Sequence, residues 1–302
     1  RLNIPPLEGI LHPLDKHRLG RSEMRVTRLT LGCAWMGGAN RTDQQAIGAV
    51  HCAIDLGINF LDTSAAYGES ERRLGLALQG GWRDRVYLET KVGTHPEHRG
   101  DYSAAAIRWS VENSLRLLKT DYLDSVLIHD CADIEVPLAP GAALDELCKI
   151  KQQGLIGHVG LGVRQHAFHR RAIDTGQIEI VLSYLDYTLL DQSVAQTTLP
   201  VAAQRDVGII LGSVLGMGKL SGREPTDDPR AHAMWAWCRE RGVNIRHLGI
   251  QFCMAVPYDN VVIMPGPSTA EHVLDTFRLA ETPVDPEVWR AFSAEFGVGP
   301  GI

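Results

Sequence analysis

Four side chains that can carry or orient a proton lie in the first half of the chain, each at or just after the end of an apolar stretch. Asp62 follows the apolar residues 58–61, and Tyr67 comes five residues later beside a glycine. Lys91 and His129 each end a later apolar stretch of the same kind. An acid at a strand end and a phenol in the next loop indicate two parts of a proton-transfer site, and the lysine and histidine complete it.

These residue types complement one another chemically. A tyrosine hydroxyl, with an ordinary pKa of about 10, is a weak acid or base near neutrality. A neighbouring ammonium such as Lys91 lowers that pKa, and a carboxylate such as Asp62 holds the ammonium charged. A histidine can orient the same substrate oxygen. The group suits proton transfer at an oxygen whose carbon gains or loses hydride, but it equally suits a cofactor-independent lyase, dehydratase or epimerase.

The chain around these residues repeats a unit of one helix and one strand. The predicted strands are short and apolar on both faces, as buried parallel strands are. They cover residues 58–62, 86–91, 122–129, 156–163, 178–183, 207–211 and 260–265, and residues 24–31 predict a hairpin or first strand. The predicted helices cover about residues 43–56, 69–79, 103–118, 141–153, 166–174, 193–205 and 269–280.

Alternating strands and helices leave two α/β architectures open, a closed (β/α)₈ barrel and an open doubly wound sheet. A nucleotide-binding sheet of the second kind has a G-x-G-x-x-G fingerprint after its first strand, and residues 31–38 lack it. We therefore expect a single (β/α)₈ TIM barrel domain over residues 1–302, with an N-terminal β-hairpin. Residues 213–245 exceed what one unit needs, which predicts a functional insertion.

Composition limits the partners of the protein. The 302 residues carry a net charge of −6 with scattered cations, which argues against a nucleic-acid or membrane-surface partner. No apolar run approaches the roughly 20 residues that span a bilayer. The six cysteines show no CxxC spacing, so we predict no metal site. The first residues lack a secretory signal, and we expect a cytoplasmic protein that acts on a small molecule, with its oligomeric state open.

The order and context of Asp62, Tyr67, Lys91 and His129 resemble the catalytic tetrad of the aldo-keto reductase family. The resemblance extends from Leu29 to Leu279. It rests on three sequence motifs, G-I-N-F-L-D-T-S-x-x-Y-G-x-S-E, T-K-V-G and L-I-H-D. It implies that Tyr67 carries the proton, Lys91 tunes its pKa, Asp62 pairs with the lysine and borders the cofactor, and His129 orients the substrate.

Further stretches resemble the aldose 1-dehydrogenase branch of that family, which includes fucose-type and galactose-type sugar dehydrogenases and pyridoxal 4-dehydrogenase. They are residues 127–130, 160–165, 187–192 and 212–220. The resemblance implies an NAD- or NADP-dependent oxidation of the C1 hydroxyl of an aldose to a lactone, or turnover of a small aldehyde, ketone or alcohol. Substrate contacts are then expected from Tyr67, His129 and Trp35, which could be a stacking wall or a lid residue.

The cofactor contacts depart from the family pattern at the nicotinamide end. Where many members carry Ser-Asn after the fifth strand, this chain has Val163-Arg164-Gln165, and Tyr184 stands where the sixth strand usually has Gln. Gln165 and Tyr184 are therefore the expected carboxamide neighbours. The loop that covers the cofactor in the family corresponds here to residues that include Ser213, Leu215, Gly218 and Lys219.

The adenosine end of the cofactor is expected at the start of the last predicted helix. NADP-preferring members place Lys or Arg there for the 2′-phosphate, whereas this chain has Gly266 and His272 at the matching positions. Ser268 and Thr276 remain as polar contacts. This pattern favours NAD over NADP.

Overall fold

Eight parallel strands with helices between them form the centre of the computed structural model, which describes residues 12–300. An antiparallel hairpin of β1 (Lys16–Arg18) and β2 (Arg25–Thr27) precedes them. The barrel strands are β3 (Leu31–Gly32), β4 (Phe60–Asp62), β5 (Tyr87–Val92), β6 (Leu123–His129), β7 (Ile156–Gly162), β8 (Ile180–Tyr184), β9 (Gly208–Gly212) and β10 (Val261–Met264). Each strand pairs in parallel with the next along the chain.

Main-chain hydrogen bonds between the first and last barrel strands close the ring. Thr30 N donates to Ile263 O at 2.9 Å, and Ile263 N donates to Arg28 O at 2.9 Å. Gly32 N continues this pairing by donating to Pro265 O at 2.9 Å. The predicted (β/α)₈ barrel is thereby confirmed.

The helices lie outside the barrel and cover the outward faces of its strands. They are α1 (Asp43–Leu56), α2 (Ser70–Ala77), α3 (Ala104–Leu118), α4 (Glu135–Leu138), α5 (Ala143–Gln152), α6 (His166–Ile173), α7 (Val194–Gln204), α8 (Pro229–Glu240), α9 (Ile245–Met254), α10 (Ala270–Glu281) and α11 (Pro286–Phe296). Local signals explain their limits: Thr42 and Gln45 form a capping box at the start of α1, and Gly57 ends it with a φ of 102°.

The predicted helices all occur, and four more were missed. The insertion at 213–245 holds all of α8 and leads into α9, while α4 and α11 lie outside every predicted unit. None of the helices in residues 12–300 is long and apolar enough to cross a membrane. All six cysteines are free thiols.

The predicted N-terminal hairpin is confirmed, and it closes the end of the barrel at which the strands begin. Leu19 and Val26 are buried in the same apolar cluster as the inward-facing Phe60 and Ile210. Gly20 forms an antiparallel bridge with Val207, just before β9 starts. The opposite end, where the strands finish, is left for loops and polar side chains.

A buried arginine ties the first barrel strand to the last. Arg28 is 0% exposed, and its guanidinium donates to the main-chain oxygens of Met254, Val256, Tyr258 and Val261. It joins none of the ion pairs found within residues 12–300, and burial lowers its pKa to about 10. Its role is therefore to satisfy carbonyls that would otherwise be buried without donors.

We predict that Arg28→Met lowers the free energy of unfolding by about 3–5 kcal/mol, because several buried carbonyls lose their donors together. Urea unfolding followed by circular dichroism measures the change. Arg25→Met is the matched control, since Arg25 is exposed and such surface changes shift stability by about 0.5 kcal/mol or less. Equal unfolding midpoints for the two variants would contradict a structural role for Arg28.

Candidate active site

The barrel brings the four predicted proton-handling residues to one end. Asp62 is the last residue of β4, Lys91 lies in β5, and His129 is the last residue of β6. Tyr67 lies in the turn between β4 and α2. Because β4, β5 and β6 are adjacent parallel strands, their side chains meet at the C-terminal mouth of the barrel, where the sequence predicted a site.

Lys91 and Asp62 form a buried ion pair at the base of this mouth. Lys91 is 0% exposed, and its Nζ donates to Asp62 Oδ1 and, at 2.8 Å, to Thr63 O. Burial alone would lower the pKa of Lys91, but the neighbouring acidic groups, Asp62 foremost with Tyr67 and Glu89, together offset this and raise it above its ordinary value. Gly162 of β7 packs beside the lysine stem, where a Cβ would lie 3.8 Å from Lys91 Cδ, an ordinary van der Waals distance.

Tyr67 stands directly over the lysine. The Lys91 Nζ lies 4.8 Å from the centre of the tyrosine ring. Burial raises the pKa of Tyr67, while the charge of Lys91 lowers it. The lysine thus acts in the predicted direction, but burial outweighs it, and the pKa of Tyr67 lies above its usual value. The phenol is consequently protonated near neutral pH.

The turn that carries Tyr67 is held by close backbone contacts. A Cβ at Gly37 would lie 1.5 Å from Tyr67 O, so only glycine allows the two segments to pack. Gly68 adopts a φ of 55°, in the left-handed region. Ser70 is the first residue of α2, and its buried hydroxyl donates to Cys33 O at 2.9 Å. These contacts place the phenol by way of main-chain packing.

His129 presents its ring edge to Tyr67, with ring centres 5.9 Å apart and planes at 89°. Its Nδ1 lies 2.7 Å from Thr94 Oγ1 and 3.2 Å from Ser64 Oγ, while its Nε2 lies 3.4 Å from Asp130 Oδ2. Burial, with the charge of Lys91, holds the pKa of His129 well below its usual range. Because the hydroxyls of Thr94 and Ser64 can donate to Nδ1, the ring is assigned as neutral with its proton on Nε2.

Asp130 is a site residue that the sequence analysis missed as an individual candidate. It follows His129 with a φ of 40°, and its carboxylate accepts a hydrogen bond from the Tyr184 hydroxyl at 3.1 Å. Both residues line a cavity of about 560 Å³, which also has walls from Cys131, Ala132, Arg164 and Gln165. The predicted cofactor residue Tyr184 is thus tied to the histidine through a carboxylate.

The predicted nicotinamide-side residues lie around this cavity and the next loop. Gln165 is exposed at the start of α6 and lines the cavity. Ser213 follows β9 with a φ of 54°, and Gly218 has a φ of 99°. Leu215 is half-buried against the core, whereas Lys219 pairs with Asp228 at 2.9 Å. The ammonium of Lys219 is therefore already paired with a carboxylate close to it in the sequence.

The predicted adenosine-side residues lie at the start of α10. Ser268 is buried, and Arg41 Nε donates to its Oγ at 2.9 Å. His272 is exposed on the first turn of the helix, while Thr276 is buried on its inner face. Arg41 comes from the loop before α1, and its proximity to Ser268 could not be read from sequence order. A cation thus stands beside the segment where none was expected.

Trp35 lies against the segment that precedes α10, which holds the predicted adenosine-side residues. Its side chain is 56% exposed, unusual for so large an apolar ring. A Cβ built on Gly266 would lie 3.0 Å from Trp35 Cδ1, so the indole rests on that glycine. Trp35 therefore borders the adenosine-side segment, and its contact with substrate stays a prediction.

Comparison with known proteins agrees with this geometry. A family model described as "Aldo/keto reductase family" matches residues 28–294. L-Galactose dehydrogenase of Arabidopsis thaliana is 29% identical over 259 residues, which is 80% of this chain and 81% of that protein. D-threo-Aldose 1-dehydrogenase of a Pseudomonas species is 28% identical over 288 residues, covering 82% of this chain and 88% of that protein.

A solved structure supports the same assignment. An aldo-keto reductase from Klebsiella pneumoniae in complex with NADPH superposes with a TM-score of 0.74 at 25% identity, over 93% of this chain and 95% of that one. The family match spans most of the chain and includes all four residues at the barrel mouth. The protein belongs to the aldo/keto reductase family.

Proposed function

We propose that this NAD(P)-dependent oxidoreductase oxidises the C1 hydroxyl of an aldose to a lactone. The observation that carries the proposal is the placement of Tyr67 over Lys91 and beside His129 at the barrel mouth. The names of the two dehydrogenase relatives, both of which act on sugars, support the choice of substrate.

The proposed roles follow from the geometry of these side chains. Tyr67 exchanges the proton of the reacting hydroxyl, because the Lys91 ammonium lies 4.8 Å from the centre of its ring. Lys91 favours the phenolate by its charge, and Asp62 keeps that charge fixed. His129, neutral and with its proton on Nε2, donates a hydrogen bond to the substrate oxygen and holds it in place.

The residues present fit a nicotinamide dinucleotide. The exposed amide of Gln165 makes no hydrogen bond to another side chain or main-chain group within residues 12–300, so it is available to a carboxamide. The amides at the start of α10 suit a phosphate, and Arg41 stands beside them. When bound, the dinucleotide accepts or supplies the hydride.

The polar lining of the mouth suits a substrate with several hydroxyls. Asp130 accepts hydrogen bonds, and the guanidinium of Arg164 can donate them. The cavity of about 560 Å³ that they line lies within the roughly 300–1,000 Å³ typical of small-molecule sites. Asp130 links this cavity to His129, so a sugar could lie along it with C1 towards Tyr67.

Tyr67→Phe removes the proposed proton carrier and leaves the ring that packs over Lys91. We predict that kcat falls by about 10²–10⁴-fold, the usual contribution of a general acid–base group, while nucleotide affinity and the unfolding midpoint change little. Steady-state oxidation of a panel of aldoses and fluorescence titration with nucleotide measure the two effects. Tyr122→Phe is the control, because Tyr122 lies on the surface. Full activity in Tyr67→Phe would remove Tyr67 from the mechanism.

The choice between NAD and NADP depends on which cation reaches the adenosine end. The sequence favours NAD because Gly266 and His272 replace the usual basic residues. Arg41 alters that balance, since its Nε contacts Ser268 and it joins none of the carboxylate ion pairs within residues 12–300. A guanidinium is well suited to a phosphate group. We infer that Arg41 supplies the 2′-phosphate contact and that NADP is the preferred form.

Titration of the wild type and Arg41→Met with NADH and NADPH tests this preference. We predict that the substitution weakens NADPH binding about 10-fold or more, as loss of a charge-assisted hydrogen bond does, with little change for NADH. Arg116→Met, an exposed arginine on α3, is the control for a general loss of positive charge. Tighter binding of NADH by the wild type would restore the preference read from sequence. A folded protein that bound neither would favour the cofactor-independent acid–base reaction.

A further inference from the structure

A second buried acid lies behind the ion pair of the active site. Glu89 is 0% exposed and stands two residues before Lys91 in β5, so both side chains point into the barrel. It is paired in register with Asp62 of β4 on one side and with Ser125 of β6 on the other. The proposed proton transfer by Tyr67 does not by itself require an acid at this position.

The two oxygens of Glu89 have different surroundings. Ser125 Oγ donates to Oε2 at 2.6 Å, whereas Oε1 is buried and meets no donor among residues 12–300. Asp62 stands directly opposite Glu89 in the register of β4 and β5, so the two buried carboxyls are neighbours inside the barrel. Two ionised carboxylates are both acceptors and cannot bond to each other. A proton on Oε1 satisfies this atom and gives Asp62 a donor.

The charges in the barrel lead to the same conclusion. Among residues 12–300, Lys91 is the one ammonium paired with this cluster, and its Nζ bonds to Asp62, which therefore keeps the negative charge. Burial, with the charge of Asp62, raises the pKa of Glu89 to about 8. Two like charges this close cannot both persist away from water, so the proton resides on Glu89.

We propose that Glu89 is a positioning residue that stays protonated at neutral pH and donates a hydrogen bond from Oε1 to Asp62. This bond orients the Asp62 carboxylate towards Lys91 and leaves the buried cluster without net charge. Tyr67 can then give up its proton next to a neutral cluster. The consequence for Tyr67 rests on the proposed function, whereas the protonation of Glu89 does not.

Few other groups face this carboxyl. Asp62 lies across β4, Lys91 lies on β5 itself, and the uncharged Ser125 faces it from β6. Glu71 of α2 lies on the outer side of the strand, where it accepts a hydrogen bond from Thr90 Oγ1 at 2.6 Å. Glu71 is therefore a buried acid of the same type that does not touch the active site.

Infrared spectroscopy of the purified protein tests the protonation directly. At pH 7 we expect a carbonyl band of a protonated carboxylic acid that disappears in Glu89→Gln and persists in Glu71→Gln. Ser125→Ala removes a donor to the ionised form, so the same band should shift and persist to higher pH. No band lost in Glu89→Gln, together with no shift in Ser125→Ala, would overturn the proposal without any measurement of turnover.

Stability supplies a second test with a definite sign. Since the folded protein holds the Glu89 proton more tightly than the unfolded chain, this group's contribution to stability is full below about pH 4.5 and is lost as pH rises to about 8. Glu89→Gln should therefore lose less stability than the wild type between pH 5 and pH 8 in urea unfolding. Parallel curves for the two proteins would contradict the protonated state.

Activity shows what the hydrogen bond does. The amide of Glu89→Gln still donates to Asp62, so we expect kcat at pH 7 within about threefold of the wild type. Glu89→Leu cannot donate and should lose at least tenfold in kcat with little change in nucleotide affinity. In the wild type, ionisation of Glu89 should produce an inflection near pH 8 in the pH profile of kcat. This inflection should be absent in Glu89→Gln and present in Glu71→Gln. Equal kcat values for the Gln and Leu variants would show that Glu89 only fills space.

Discussion

The buried ion pair between Lys91 and Asp62 is the constraint on which the mouth of this barrel depends. Removing two charges from water costs several kcal/mol per ion, and the cost is recovered only when geometry and hydrogen bonds are complete. Here the pair spans adjacent strands, and a main-chain carbonyl accepts a further bond from the lysine. Tyr67 and His129 are then positioned around a fixed positive charge.

The residues that hold this charge lie on strands, whereas the residues proposed to meet ligands lie mostly in loops. Asp62, Lys91 and His129 belong to three consecutive strands, so their spacing is set by sheet geometry. The residues proposed to hold the cofactor come from loops after β7 to β10 and from the start of a helix. This division lets the same chemical centre serve different substrates, because loops can change without moving the ion pair.

The sequence predicted the barrel, its hairpin and the four residues at the mouth because each depends on local order along the chain. Strand ends are visible as the point where an apolar run stops, and parallel strands bring those ends together. Helices α8 and α11 were missed because they lie outside the repeating unit. Asp130 was missed because its importance lies in its hydrogen bond with Tyr184, which lies at the end of a separate strand.

Glu89 and Arg41 show a second limit of reading along the chain. A polar residue within an apolar strand reads as a surface position, and an arginine in an early loop carries no sign of its neighbour. In the barrel, register places the acid beside Asp62, and closure of β10 against β3 brings the arginine to Ser268. For both residues, strand pairing in the closed barrel determines which side chains lie beside them. This chain lacks the usual family side chains at the nicotinamide and adenosine positions. The closed barrel can supply the missing contact from another strand or loop, so these positions are best interpreted from the residues that lie beside them in the fold.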